Sequence, residues 1–255
     1  MLAKHSHEKA EATVDIRPER SAEDSQERTH RLGRFERSNE GMSLVREHHE
    51  SRDGWLQARA NRGIGGSEAA AIVNLSPYMT SRDLWERKVL NKQAPNLSDN
   101  EYIAKGIRVE PVLRQLYQAN HHEVTIEYYP YDLLYQEERP WLFATLDGEI
   151  VRDDGTRGVL EIKTATPNGS EGWKKWDGQI PSHYYCQCLW ELLSSGFDFA
   201  VLYAGLYSQD GTMTIREYEI DRKEVSGDLE WLLVEGENFW LSVKAKKLPP
   251  LTLVL

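Results

Sequence analysis

Apolar positions in this chain recur with two different periods, and the places where the period changes mark out its elements. The run Trp141-Leu-Phe-Ala-Thr-Leu-Asp147 is nearly continuous and apolar, which predicts a strand. Residues 151–158 carry the turn signal Asp154-Gly155, and Val159-Leu-Glu-Ile-Lys-Thr164 then reads as the antiparallel partner of that strand. Further on, Phe197 to Leu206 is a mostly apolar strand, and Met213 to Ile220 alternates like one after the Asp210-Gly211 turn. Elsewhere the spacing is helical. Ile103, Ile107, Leu113 and Tyr117 form one stripe in Glu101 to Asn120, and Pro111, which has no amide hydrogen, predicts a kink or restart there. Tyr185, Leu189 and Leu192 form another in Ser182 to Ser195, expected to be capped by Ser182 after Pro181 and stopped by Gly196. Leu229, Leu232, Leu233, Phe239, Trp240 and Val243 form a third. Strands and helices in this order predict an α/β fold with a central mixed sheet flanked by helices, and no internal repeat is visible.

The first fifty residues follow neither period. They are dense in charge, Phe35 is their only aromatic residue, and they predict a charged extension, disordered or marginally helical, ahead of one domain over 51–255. With 40% hydrophobic residues and eight tryptophans, the 255-residue chain can build a sizeable core. It has neither a signal-peptide core nor a transmembrane run, so a cytoplasmic location without a membrane partner is expected. A net charge of −10 argues against a protein that coats DNA through a basic surface, but is compatible with basic residues lining an internal channel. The two cysteines, Cys186 and Cys188, are too few for an iron–sulfur cluster and read as small helical residues.

The chemistry concentrates around Glu161-Ile162-Lys163. On a strand, residues i and i+2 share a face, so Glu161 and Lys163 point one way while Leu160, Ile162 and Thr164 point the other. Asp147 can sit opposite Glu161. Two carboxylates so close repel unless a cation lies between them, and hard oxygen ligands suit magnesium or manganese. The bland alternative is a solvated strand face. Similar triplets occur at Glu86-Arg-Lys88 and Asp221-Arg-Lys223, but neither lies in an apolar strand after a turn-linked aspartate. Glu110 falls on the core-facing stripe of its helix, which fits either a metal ligand or a carboxylate snorkelling beside Arg108 or Arg114. Tyr184, Gln187 and Glu191 share a polar strip on the 182–195 helix. Gln187 could reach a nucleophilic water or a phosphate oxygen, or the strip is ordinary surface. In Arg62-Gly-Ile-Gly-Gly-Ser67, Ser67 at a helix N-cap with Arg59 or Arg62 nearby suits a phosphate, or is simply a capped loop.

Several segments together carry a resemblance: Gly-Ile-Gly-Gly-Ser67-Glu-Ala-Ala-Ala, Leu75-Ser-Pro-Tyr78, Gly106-Ile-Arg-Val-Glu110-Pro111, Ala144-Thr-Leu-Asp147-Gly148, Leu160-Glu-Ile-Lys-Thr164, Ile180-Pro-Ser-His-Tyr-Tyr-Cys-Gln187 and Phe239-Trp240. In this order, over about Trp55 to Pro250, the chain resembles the YqaJ-type viral recombinases, which belong with phage lambda-type exonucleases in the PD-(D/E)XK nuclease superfamily. The two cysteines set it apart from the Cas4-like members, which carry four cluster cysteines. The resemblance implies a restriction-endonuclease-like core and a 5′–3′ exonuclease that resects double-stranded DNA ends, in a bacterial or phage-infected host cell, for recombination with a single-strand annealing partner. It further implies that Glu110, Asp147, Glu161 and the carbonyl of Ile162 hold one or two Mg2+ ions, with Mn2+ as the other candidate, and that Lys163 activates water. Tyr184 and Gln187 match the helix motif beside the active site. Ser67 and an upstream arginine match a 5′-phosphate pocket: Arg59 fits the spacing from Trp55, and one extra residue before Ser67 makes Arg62 a competitor. A homotrimeric ring is the family's assembly. Leu146 stands where a proline usually precedes the aspartate. A catalytically silent DNA-binding scaffold and a non-nucleolytic magnesium-dependent hydrolase are the alternative readings.

Overall fold

The computed structural model describes residues 43–92 and 100–249. Its strands, in chain order, are β1 (Leu44–His48), β2 (Ile64–Gly65), β3 (Val124–Glu127), β4 (Asp132–Gln136), β5 (Leu142–Ala144), β6 (Gly148–Arg152), β7 (Arg157–Ala165), β8 (Phe199–Tyr207) and β9 (Met213–Asp221). Its helices are α1 (Arg52–Arg62), α2 (Ala69–Ile72), α3 (Ser81–Leu90), α4 (Glu101–Asn120), α5 (Gly169–Lys174), α6 (Ser182–Ser195) and α7 (Ser226–Lys244). The strands form two mixed sheets rather than one, in the orders β1-β4-β5-β2 and β3-β6-β7-β8-β9. Pairing is antiparallel except for β2 with β5 and β7 with β8.

The second sheet arises because the apolar run 141–147 is not a single strand. β5 ends at Ala144 in the first sheet, and β6 begins at Gly148 in the second. Between them Thr145 accepts a hydrogen bond from the Trp55 indole at 3.0 Å, which pins the bend. A side chain at Gly148 would lie 3.2 Å from Leu160 and 3.3 Å from Ile126, so glycine lets the chain enter the second sheet without these two side chains having to shift. β1 likewise corrects the expected extension. Leu44–His48 pairs with β4, so the segment read as 1–50 contains a strand, while residues 1–42 lie outside the described residues. Its polar positions are satisfied, since Arg46 and His48 both bond Asp132.

Helix α6 is buried nearly all round, as a helix with apolar residues on most faces must be. Its start differs from the expected Ser182 cap. Pro181 is the N-cap, and its carbonyl accepts from the Tyr184 and Tyr185 amides at 2.9 and 3.1 Å. Gly196, at φ 74°, ends it in the left-handed conformation as expected, and Arg222 bonds the Leu192 carbonyl at 2.7 Å. Helix α4 runs unbroken through Pro111 instead of restarting. Only its second half is core: Leu113 and Tyr117 are buried, whereas Ile103 and Ile107 are exposed.

The strand period of β7 divides the core. Val159 joins the large cluster around α6, α7 and the first sheet, while Leu160 and Ile162 join a smaller one with Leu113, Tyr117, Phe199, Val201 and Tyr203 under α4. Glu161 and Lys163 therefore face α6. Cys186 and Cys188 are fully buried, and burial pushes the Cys186 thiol up to about 12. Among the described residues no helix is long and apolar enough to cross a membrane.

Candidate active site

Extending the β6–β7 register one step past Gly148↔Leu160 sets Asp147 opposite Glu161. The Asp147 carboxylate accepts from the Ile162 amide at 2.9 Å, so it leans over the middle of β7. Glu161, 1% exposed, bonds Lys163 and accepts from the Gln187 amide at 2.6 Å. From the other face of β7, α4 contributes Glu110. Glu110 accepts from Arg114, which also donates to the Asp147 carbonyl. The helical and strand periods thus bring Glu110, Asp147, Glu161, Lys163 and Gln187 into one neighbourhood. Glu110 pairs with Arg114, as the snorkelling alternative expected, and also feels Asp147.

The electrostatics are those of crowded acids. Burial first, and Asp147 second, push the Glu161 carboxyl up to about 7. Burial and Asp147 raise Glu110 as well, against the pull of Arg114. Burial alone would lower the Lys163 ammonium, but Glu161 and Asp147 hold it above its ordinary value. The Tyr184 ring lies 5.5 Å from that ammonium, and burial pushes its phenol up to about 12.

Glu191 is the residue for which the sequence suggested no role. It is 1% exposed, accepts from Gln187 at 2.9 Å, and its second oxygen has no partner among the described residues. Burial, then Glu161, raises its pKa well above the carboxylate range. Its signal was present in the Tyr184, Gln187, Glu191 spacing. Gln187, expected to meet water or phosphate, spends its amide nitrogen on these two carboxylates.

The glycine turn closes one side of the site. Glu68 accepts from the Gly65 amide at 3.0 Å and from Lys88 at 2.8 Å, and a side chain at Gly66 would meet Glu191 at 3.0 Å. Ser67 is not an N-cap: it lies exposed within a 3-10 turn, Gly66–Glu68, because the Glu68 side chain takes the capping position instead. The two candidate arginines separate. Arg62 pairs with Glu47 and lies 4.3 Å over the Tyr135 ring. Arg59 stacks 4.5 Å over Trp55, bonds no acid among the described residues, and feels Glu68, Asp147, Glu191 and Glu161. Burial lowers its pKa.

Oxygen donors so placed suit a hard divalent cation. Among the described residues no three acidic, histidine or cysteine side chains stand as a ready-made ion group, because each carboxylate is turned to a protein donor: Glu161 to Lys163, Asp147 to the Ile162 amide, Glu110 to Arg114. The set still fits a cation by its chemistry, since Asp147 raises both of its acidic neighbours and a cation would relieve that repulsion.

The YqaJ-like viral recombinase domain family matches residues 54–198, more than half of the chain. The chain belongs to this family. The match contains Arg59, Glu110, Asp147, Glu161, Lys163, Gln187 and Glu191, and so the whole neighbourhood just described. Over 145 residues the chain is 29% identical to the uncharacterized protein YqaJ of Bacillus subtilis (strain 168), covering 56% of this chain but only 42% of that relative's length. The YqaJ-like fold superposes on an alkaline exonuclease (LHK-Exo) from Laribacter hongkongensis with a TM-score of 0.55 at 18% identity, over 76% of this chain and 93% of that one. Its complex with dAMP gives 0.51 at 18% identity, over 76% and 97%. The fold is that of PD-(D/E)XK-like exonucleases.

Proposed function

We propose that this YqaJ-like chain is a metal-dependent exodeoxyribonuclease that degrades double-stranded DNA ends in the 5′–3′ direction, feeding a recombination step with a single-strand annealing partner. The observation that carries the reading is the convergence of Asp147, Glu161 and Lys163 where the chain passes from one sheet to the other. Membership of a viral recombinase family and a fold shared with an alkaline exonuclease support the substrate class. Glu110, Asp147, Glu161 and the Ile162 carbonyl would hold Mg2+. A bound divalent ion supplies Lewis acidity and neutralises charge that develops on phosphate oxygens.

The residues of the chain do the rest. Lys163, kept charged by its acidic neighbours, holds a fixed positive charge beside the attacking water and the phosphate. Gln187, anchored by Glu191, steers the Glu161 carboxylate. Arg59, half-buried and without an ion pair among the described residues, is suited to receive a terminal 5′-phosphate, with Ser67 at the rim of the same turn. A ring of three copies is part of the same proposal, by family habit. The test is a linear duplex with and without 5′-phosphate, incubated with Mg2+ or with chelator. Mononucleotide release that needs Mg2+ and starts faster from phosphorylated ends is expected. DNA binding without cleavage would leave a silent scaffold instead, and neither binding nor cleavage would end the nucleic-acid reading.

A further inference from the structure

Tyr78 is 78% exposed, yet its position is defined. The Ser76 hydroxyl accepts from its amide at 3.2 Å, and its ring stands edge-on to His183 at 5.9 Å. His183 in turn lies 4.0 Å from the Tyr184 ring, which is 5.5 Å from both the Lys163 ammonium and the Trp176 ring. A file of rings therefore leads from solvent to the reacting lysine. The His183 Nε2 atom is buried without a partner among the described residues, and burial with Lys163 and Lys175 keeps the ring neutral, down to about 4. Neither Tyr78 nor His183 has a part in hydrolysis as described above.

We propose that Tyr78 and His183 form a base-stacking subsite beside Lys163, which takes the nucleobase of the terminal nucleotide whose phosphodiester is cut. This rests on the nuclease reading. An aromatic face accepts any base, as an enzyme that degrades DNA regardless of sequence requires. The orphan Nε2 offers that base or its sugar one hydrogen bond, and Lys163 and Lys175 hold the adjoining backbone by charge. Two residues at the mouth thus separate the end nucleotide from its complement and set it against the catalytic group.

The experiment has two arms on the full chain. In single-turnover cleavage with Mg2+, duplex ends carry either an ordinary terminal nucleotide or an abasic one. The wild type should need about tenfold more enzyme for half-maximal rate on the abasic end. Tyr78→Ala should show that loss already on the ordinary end and little further loss on the abasic end. Additive losses, or a Tyr78→Ala variant equal to wild type, overturn the subsite. In the second arm, terminal 2-aminopurine fluorescence is followed on binding in chelator, where no cleavage occurs. Quenching by wild type, lost in Tyr78→Ala and in His183→Ala and kept in Tyr78→Phe, is expected. DNA bound without quenching overturns the subsite, as does failure to bind DNA. Quenching without cleavage in the first arm rejects the nuclease reading alone.

Discussion

Replacing Glu161 by glutamine should make the ion-free protein more stable at neutral and alkaline pH. Glu161 is 1% exposed and beside Asp147, and its pKa is raised from 4.5 to about 7. A carboxyl whose folded pKa exceeds its unfolded one favours the fold when protonated, so that contribution is whole below pH 4.5 and is lost as the pH rises through 7. At about 1.4 kcal/mol for each pKa unit, the ionised side chain weakens the fold by about 3 kcal/mol above pH 7. Glutamine has the shape of the protonated acid and does not ionise. Urea unfolding in chelator from pH 4.5 to 8.5 should therefore show Glu161→Gln equal to wild type at the acid end and more stable by about 3 kcal/mol at the alkaline end. Saturating Mg2+ should then stabilise the wild type and not the variant, reversing their order. A difference that stays flat with pH would refute the claim that crowded acids at this position oppose folding and await a cation.

Three further outcomes follow from the same geometry. Lys163→Ala should still bind DNA but cleave it about 100- to 1000-fold more slowly in single turnover, since the fixed positive charge is lost while the acids remain. Arg59→Ala should abolish the advantage of a 5′-phosphorylated end, about 10- to 100-fold, whereas Arg62→Ala should keep it because Arg62 is already held by Glu47 and Tyr135; competition between phosphorylated and unphosphorylated duplexes reads both. Arg46→Ala should lower the unfolding free energy by about 2 kcal/mol in urea titrations, because Asp132 and Glu149 stay buried with one cation fewer.

Much of the fold was legible because its strands and helices carry strong periods. The 182–195 helix, the β8–β9 pair and the facing of Glu161 with Lys163 follow from spacing alone. What escaped were features fixed by tertiary contacts. Trp141 to Asp147 has the composition of one strand that would pair with β7, but its strand ends at Ala144, the Trp55 contact pins the bend at Thr145, and β6, which starts at Gly148 against Ile126 and Leu160, takes the pairing with β7 instead. β3 and β4 are short, and β1 sits in a segment whose charges satisfied one another only once β4 and β6 were beside it. Ile103 and Ile107 lie on a helical stripe like Leu113, yet the sheet reaches only the second half of α4. At the site, residue type and spacing singled out the acids and the lysine. Glu191 was visible as a position without a role, since its partners come from α6 and the glycine turn together.

The junction of the two sheets explains why the acids can be held so close. Glu149, two residues beyond Asp147, is buried and bonds Arg46 of β1 and Arg157 of β7. Arg46 also bonds Asp132 of β4, and Arg157 bonds Glu127 of β3. Two guanidiniums therefore connect strands of both sheets through one carboxylate on β6. Burial would lower the Arg46 pKa, but Glu149 and Asp132 raise it above its ordinary value, so the charge persists at every working pH. The repulsion between Asp147 and Glu161 would tend to peel β6 from β7 at its first residue. The paired Glu149 opposes this from the third position of the same exchange between strands, where the attraction is partly desolvated and correspondingly strong. A chain that keeps two acids this close needs such an anchor near them, and here part of it is supplied by β1, none of whose own residues is fully buried.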